Sequence, residues 1–486
     1  MTDNTIRFLL NDELITLENI DPNLTVLQYL REIRYQCGTK EGCASGDCGA
    51  CTVVLAELSG ENFNELNYKS ANACILFVGS LHGKQLITVE HLKQGEELHP
   101  VQQAIVDFHA SQCGFCTPGF VMSSFALHKA VSSPDRAQVV EALAGNLCRC
   151  TGYRSIIDAA MTSSADSPED SFARHYHQTV AELKKIHLQS DAQLSASGHH
   201  FYSPTNIDQL ADYLLANPEA TLLGGGTDLA LSVTQQLNTI DKLVYLGNVK
   251  ELNGLRETDD SIIVGSAVPY SLFTPVLHQQ YPELGEMIER IGSTQIRNSG
   301  TLGGNIGNAS PIGDMPPALI ALGASMTLRR GNSTREIPVE DYFKGYKITD
   351  LGESEFIQDI TIPKAKPGQA CKVYKISKRL DDDISAVLAA ISVEIEQDSV
   401  KSVSIAYGGM AAIPKRAVAC EAALLGKPWT QSSIDAAKQA LTQDFQPMSD
   451  VRASDQYRMT VAQNLLQKCF LELQNRHVET RVVNYA

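Results

Sequence analysis

Cys43, Cys48 and Cys51 stand at C-x4-C-x2-C spacing, and Cys74 follows after 22 residues. Three thiols from one loop and a fourth from a remote segment form the ligand pattern of a [2Fe–2S] cluster. A loop that wraps three thiolates round a cluster must bend sharply, and Gly42, Gly46 and Gly49 supply the permissive backbone. Its N–H groups then point at the sulfides and tune the reduction potential. A zinc site more often shows paired C-x2-C hairpins, which this loop lacks. A second set joins Cys113-x2-Cys116 to Cys148-x-Cys150. Four thiols from two helix ends suit a further [2Fe–2S] cluster, although on spacing alone a four-cysteine zinc site remains open. Cys37 lies outside both patterns and is expected to be a structural thiol.

Two glycine-rich segments carry a different chemistry. They are TLLGGGTDL at 221–229 and IRNSGTLGGNIGNASPIGD at 296–314. Such turns let backbone N–H groups approach a pyrophosphate, because no Cβ intervenes. The first is not a Rossmann fingerprint, since Leu229 stands where the third glycine would fall, and no Walker A sequence is present.

The chain has 486 residues, 43% apolar and 20% charged, which excludes wholesale disorder, collagen and coiled coil and predicts several domains. No run reaches the roughly 18–20 apolar residues that span a bilayer. A net charge of −16 offers no basic footprint for nucleic acid. Nine of the 12 cysteines fall in the first 150 residues. The charged N-terminus does not read as a signal peptide, so a reducing, cytoplasmic setting is expected, where clustered cysteines serve as metal ligands.

These sites need elements to hold them. Alternating apolar residues over 3–20 predict two strands joined at Asn11-Asp12, and Leu24, Leu27, Leu30 and Ile33 predict a helix. Strands are expected at Thr52–Leu58 and Gln85–Val89. Beyond His99 the spacing turns helical: one helix from Val101, one after Thr117 as N-cap with Pro118 at its first position, a third at Ala137–Leu147 and a fourth from Ser155. Residues 166–198 read as a linker with a short helix at Ala173–Ile186. An α/β region follows. The C-terminal part shows strands at Lys372–Ile376, Ala386–Ile395 and Val403–Tyr407, then helices at Lys415–Leu424, Ser432–Leu441 and Ser454–Leu473.

GCASGDCGACTV and QCGFCTPGF…LCRCTGY, in this order, resemble the iron–sulfur half of the molybdenum hydroxylases, the family of xanthine dehydrogenase and aldehyde oxidoreductase. The resemblance continues through both glycine segments and Tyr407-Gly-Gly-Met410. Its nearest form is the iron–sulfur/FAD subunit of two-subunit bacterial xanthine dehydrogenases. It implies a multidomain α+β chain: a β-grasp, plant-type [2Fe–2S] domain (1–90), a four-helix [2Fe–2S] domain (91–165), the linker (166–198), an α/β FAD-binding domain of the vanillyl-oxidase (PCMH) type (199–366) and an α+β flavoprotein C-terminal domain (370–477).

The resemblance also implies site residues. Cys43, Cys48, Cys51 and Cys74 would hold one cluster, and Cys113, Cys116, Cys148 and Cys150 the other. FAD would lie on Leu222, Leu223, Gly224, Gly225, Gly226, Thr227, Asp228 and Leu229, and on Thr301, Leu302, Gly303, Gly304 and Asn305. Asp314 would be a further FAD contact, although it also suits a helix cap before Met315. Ile291 falls where animal relatives place an aromatic beside the flavin ring, so flavin potential and affinity do not transfer. The charged 378–384 segment resembles a family counterpart, but as a charge run it reads more readily as a solvated turn. Gln112 would touch the molybdopterin of a partner subunit.

Residues after 200 are taken by flavin domains, so the molybdopterin would belong to another chain. The expected role is to carry electrons from that partner, oxidising xanthine or hypoxanthine, through both clusters to FAD and then NAD⁺. The expected assembly is a pair of heterodimers. No side chain is expected to act as a general acid or base. Alternatives are the same module serving an aldehyde or N-heterocycle hydroxylase, and an electron carrier with no hydroxylase partner.

Overall fold

The computed structural model describes residues 4–60, 62–165, 170–187, 191–474 and 480. They form two compact units. One comprises residues 1–250 with 292–300, the other 251–291 with 301–486.

The first unit begins with a five-stranded sheet in the order Glu13–Leu17, Ile6–Leu10, Gln85–Ile87, Thr52–Ser59, Glu65–Asn72. The two N-terminal strands form the expected hairpin, and Asn11 takes the positive φ of 57° that its turn requires. Ile6, Phe8 and Leu10 point inward onto Val26, Leu27 and Leu30. That helix starts on a capping box in which Thr25 and Gln28 cap each other. The edge strand Glu65–Asn72 was not expected. Its sequence, ELNYKSAN, lacks apolar alternation, because its N-terminal half is partly exposed.

Four helices follow at Pro100–Asp107, Thr117–Ala130, Arg136–Leu143 and Arg154–Ala165. They enclose a core of Phe120, Phe125, Val139, Leu143 and Ile156. The Thr117 cap is corrected. Cys116 is the N-cap, no side chain caps the helix, and Thr117 Oγ1 instead pairs with Ser111 Oγ at 2.7 Å.

The expected linker is more structured than its composition suggests. It holds helices Ser171–Arg174 and Tyr176–His187, while residues 166–169 and 188–190 lie outside the described residues. Ala192–Ala196, expected in the linker, is a strand paired with His199–Ser203, so the second sheet already begins there. That sheet runs Ala192–Ala196, His199–Ser203, Lys242–Tyr245, Thr221–Leu223, and its last two pairings are parallel.

Asp170 anchors this stretch. It caps the Ser171 helix through Ala173 N–H at 2.7 Å and accepts Lys129 Nζ at 3.0 and 3.1 Å. His99 Nδ1 accepts Val101 N–H, so its Nε2 carries the proton and donates to Asp170 at 3.3 Å. His99, His128 and Asp170 bring their ligand atoms within 4.8 Å of one another. With both His99 nitrogens engaged and Lys129 on the carboxylate, the cluster is a latch rather than a metal centre. Burial pushes the Asp170 carboxyl up, but His99, Ala173 N–H and Lys129 outweigh it and hold it well below the usual carboxylate range. A carboxylate lowered by folding contributes its full stabilisation above its unfolded value near 4, and loses it as pH falls further. The stability gap between wild type and Asp170→Asn is therefore expected to be flat above about pH 5 and to shrink below about pH 4. Thermal unfolding across pH checks this, and a gap that widened in acid would contradict it.

The second unit has an antiparallel sheet in the order Leu255–Glu257, Ser261–Gly265, Phe356–Pro363, Ser325–Arg330, Ser333–Pro338. Helices Tyr270–Gln280, Pro282–Glu289 and Met315–Leu322 share its core. A further sheet, Gln369–Ile376, Val387–Glu396, Ser399–Gly408 and Lys415–Arg416, packs on helices Val418–Leu424, Gln431–Asp444 and Asp455–Gln474. The helix expected from Lys415 starts only at Val418, because Lys415 and Arg416 pair with Tyr407 and Ala406. Among the described residues no helix is long and apolar enough to cross a membrane.

Candidate functional site

The loop that carries Cys43, Cys48 and Cys51 has no regular structure, and it turns through positive φ at Ala44 (53°), Gly46 (83°) and Gly49 (68°). Ala44 takes this conformation without being glycine, which composition could not reveal. Gly42 serves space instead, since a Cβ there would lie 2.7 Å from Cys48 Sγ. Cys51 Sγ lies 3.3 Å from Cys74 Sγ, and Cys43 hydrogen-bonds both Cys48 and Cys74. Ser45 N–H points at Cys43 Sγ from 3.4 Å. Hydrogen bonds from Cys48 and Cys74 lower the Cys43 thiol, and the same proximity raises both donors. Four thiols this close cannot all ionise without a cationic centre among them, which is what a diiron cluster supplies. Cys37 is exposed and stands apart.

The second set meets in two pairs, Cys116 with Cys148 and Cys113 with Cys150, each at hydrogen-bonding reach. Cys113 and Cys150 are exposed, while Cys148 is buried. Burial pushes the Cys148 thiol up. The Thr151 hydroxyl at 3.1 Å and the N–H groups of Cys150 and Thr151 outweigh this and bring it down to about 7. Burial, then Cys148, push Cys116 up to about 12. Tyr153 Oη accepts the Cys148 N–H at 2.9 Å and fixes the turn. Gln112 is exposed beside Cys113.

The two cysteine regions touch backbone to backbone. Leu147 N–H donates to Cys48 O at 3.0 Å, so the residue before Cys148 is bonded to a residue of the first set. A Cβ on Gly119 would lie 2.2 Å from Gly49 O, and one on Gly49 equally close to Gly145 O.

In the same unit, the Thr221–Leu223 strand ends in the glycine turn. A Cβ on Gly225 would lie 1.7 Å from Ser299 O, and Gly226 has φ of 74°. A Cβ on Gly226 would lie 3.3 Å from the carbonyl oxygen of Ile75, the neighbour of Cys74. Among the described residues, the N–H groups of Gly224, Gly225, Gly226, Thr227, Asp228 and Leu229 donate no hydrogen bond. Consecutive free N–H groups at a glycine turn form an anion nest, so this loop fits a diphosphate.

The second turn lies in the other unit and differs. Leu302 and Gly303 donate to Val268 O and Ser266 O, and Gly304 N–H is capped by Thr301 Oγ1 at 3.0 Å. Its backbone donors are spent, contrary to the sequence expectation. Side chains are what remain: Asn305 Oδ1 and, nearby, Ser266 Oγ are buried without partners among the described residues. These orphaned atoms fit a polar group of the cofactor.

Asp314 stands at the N-cap position but caps nothing. Its Oδ2 accepts Lys375 Nζ at 2.7 Å and its Oδ1 accepts Ser385 Oγ at 2.6 Å. Lys375 Nζ also donates to Arg290 O at 2.9 Å, which ties Asp314 to the residue before Ile291. Ile291 is half-buried against the core of this unit. Sequence reasoning missed Lys375. Its signal was strand periodicity, which puts a lysine on the buried face of Val373. Both partners of this pair are more than nine-tenths buried. Lys375→Met strands the carboxylate and is expected to cost about 3–5 kcal/mol. Denaturant unfolding checks this, and an unchanged midpoint would contradict it.

Four families match the chain in turn. The 2Fe-2S iron-sulfur cluster binding domain matches 8–79, and the [2Fe-2S] binding domain matches 88–161. The FAD binding domain in molybdopterin dehydrogenase matches 194–365, and the CO dehydrogenase flavoprotein C-terminal domain matches 372–473. Xanthine dehydrogenase of Emericella nidulans is 33% identical over 91% of this chain and 36% of its own length. Xanthine dehydrogenase/oxidase of Rattus norvegicus is 29% identical over 97% of this chain and 39% of its own length. Among solved structures, a carbon monoxide dehydrogenase from Hydrogenophaga pseudoflava superposes with a TM-score of 0.53 at 27% identity, covering 55% of this chain and 94% of its own. Quinoline 2-oxidoreductase from Pseudomonas putida 86 gives 0.52 at 25%, covering 56% and 94%. Two [2Fe–2S] domains followed by an FAD-binding domain define an electron-transfer module. The chain belongs to the molybdenum hydroxylase family, as a homologue of the N-terminal iron–sulfur/FAD region of xanthine dehydrogenases. It spans little more than a third of the length of those relatives.

Proposed function

We propose that this chain is the iron–sulfur/FAD subunit of a xanthine dehydrogenase, and that a separate molybdopterin-binding subunit oxidises xanthine or hypoxanthine. When bound, the clusters would supply single-electron transfer, and FAD would take up two electrons and a proton and deliver them as a hydride to NAD⁺. Cys113, Cys116, Cys148 and Cys150 hold the partner-side cluster, and Cys43, Cys48, Cys51 and Cys74 hold the other. The free N–H groups of Gly224–Leu229 would take the FAD diphosphate; Thr301–Asn305, Asp314 and Ile291 are the further FAD contacts that the family resemblance assigns.

Gln112 faces the partner's molybdopterin. Phe108, Phe115, Leu147 and Tyr153, close in sequence to the ligands, are exposed apolar side chains that a partner could cover. The complex is a pair of such heterodimers. The observation that carries this reading is the similarity to xanthine dehydrogenase over 91% of the chain, with all eight cysteines at ligand spacing.

The quinoline 2-oxidoreductase likeness supports a second reading, in which the partner acts on another N-heterocycle or an aldehyde. Reconstitution with the molybdenum partner tests both. NAD⁺ reduction with xanthine is expected. A complex that turned over quinoline or an aldehyde and ignored xanthine would overturn the first reading in favour of the second.

A further inference from the structure

Gln295 is 1% exposed and ligates nothing, yet its amide sits where the two cysteine regions meet. Its Nε2 lies 3.1 Å from Asn146 Oδ1 and 3.2 Å from both Thr52 Oγ1 and Ser123 Oγ. Thr52 spends its hydroxyl proton on Gly49 O at 2.6 Å, and Ser123 spends its own on Asn146 Oδ1 at 2.6 Å. Both hydroxyls therefore present lone pairs, and the amide protons of Gln295 reach both, with Asn146 Nδ2 also donating to Thr52 Oγ1 at 3.3 Å. Asn146 Nδ2 completes the network on Gly49 O at 3.0 Å.

Gly49 lies between Cys48 and Cys51. Asn146 stands two residues before Cys148, and Ser123 lies on the helix that begins beyond Cys116. One amide thus fixes backbone from both cysteine sets. There is no slack around it, because a Cβ on Gly145 would lie 2.3 Å from Gln295 Oε1. That oxygen has no partner among the described residues. A buried acceptor left open is a cost that packing alone gives no reason to retain.

Gln295 comes from the 292–300 stretch, which groups with residues 1–250 although the chain on either side groups with the other unit. The stretch is pinned by Thr294 Oγ1 on Glu141 O at 3.0 Å, by the Arg297–Glu141 ion pair, and by Asn298 Nδ2 on Ser70 O at 3.0 Å. It runs directly into Thr301.

We propose that Gln295 is a positioning residue for electron exchange between the two cysteine sets, acting through Asn146 and Gly49 to hold their backbones at fixed separation. This deepens the proposed function and rests on both sets holding [2Fe–2S] clusters. An apolar side chain of similar length leaves Ser123 Oγ with no donor and strips one donor each from Thr52 Oγ1, which keeps Asn146 Nδ2, and from Asn146 Oδ1, which keeps the Ser123 hydroxyl. The 145–148 segment then relaxes away from 48–49.

The test uses the full chain and Gln295→Met, with iron and flavin analysis and the rate of electron exchange between the two reduced and oxidised clusters after pulse radiolysis. The expected result is unchanged iron and flavin with an exchange rate lowered roughly tenfold, as small misplacements of reacting partners produce. Asn146→Ala is expected to slow exchange similarly. The double variant should be no slower than Asn146→Ala alone, because the two act as one unit. A wild-type rate in Gln295→Met, additive losses in the double variant, or loss of iron from either set would overturn the proposal. Wild-type chain that held no iron would instead sink the reading beneath it.

Discussion

Cys148→Ser is expected to remove one cluster and leave the flavin in place, lowering iron from about four to about two per chain. The thiol it deletes is buried, already drawn down to about 7, and paired with Cys116. A serine hydroxyl ionises far less readily, so it offers no thiolate to replace it. The four-helix core of Phe120, Phe125, Val139 and Ile156 does not depend on the ligand, so the domain keeps its packing. The glycine turn at Gly224–Leu229 lies outside this domain, and flavin content should hold. Cys37→Ser is the matched control: Cys37 is exposed and lies outside both ligand sets, so iron should not change. Iron and acid-labile sulfide assays with visible spectra check both variants. Full iron in Cys148→Ser, or loss in Cys37→Ser, would contradict the ligand assignment.

The second large effect is on the flavin. In Gly225→Ala the new methyl would stand 1.7 Å from Ser299 O, 2.2 Å from Ser299 C and 2.8 Å from Gly300 N. All three are backbone atoms, so no rotamer change relieves the clash, and the chain itself must shift. Overpacking of this kind costs about 1–3 kcal/mol even where side chains can yield. Here the displaced groups are the free N–H donors of the nest and the stretch leading into Thr301. FAD is expected to fall from about one per chain to a small fraction, with both clusters retained, since eight thiols hold them elsewhere. Gly307→Ala is the control, because its nearest neighbour is Ile357 Cδ1 at 3.9 Å. Flavin fluorescence after acid release reads both. Full FAD in Gly225→Ala would remove the diphosphate from this loop.

These predictions also mark what sequence could and could not reveal. The eight cysteines stood out because cluster geometry fixes their spacing; the structure places the first set in mutual contact and the second in two pairs. The first hairpin and the four helices were legible from apolar periodicity. Glu65–Asn72 was not, because a polar edge strand has no alternation to read. Ala192–Ala196 was hidden in a stretch rich in Ser, Ala and His that looked like a linker. The two glycine segments looked alike on paper. Only geometry separates them, since the first leaves its N–H groups open while the second spends them on Val268, Ser266 and Thr301. Lys375 and Gln295 were illegible for a shared reason. Each is a single polar residue in an apolar setting, and its importance lies in partners 61 and 149 residues away in sequence.

Combined iron, acid-labile sulfide, zinc and flavin analysis of the purified full-length chain tests the central claim most directly. About four irons, four sulfides and one FAD per chain are predicted, with no zinc. Two irons with one zinc would reassign the Cys113–Cys150 set as a zinc site, and a colourless chain with neither iron nor flavin after anaerobic reconstitution would contradict the account altogether.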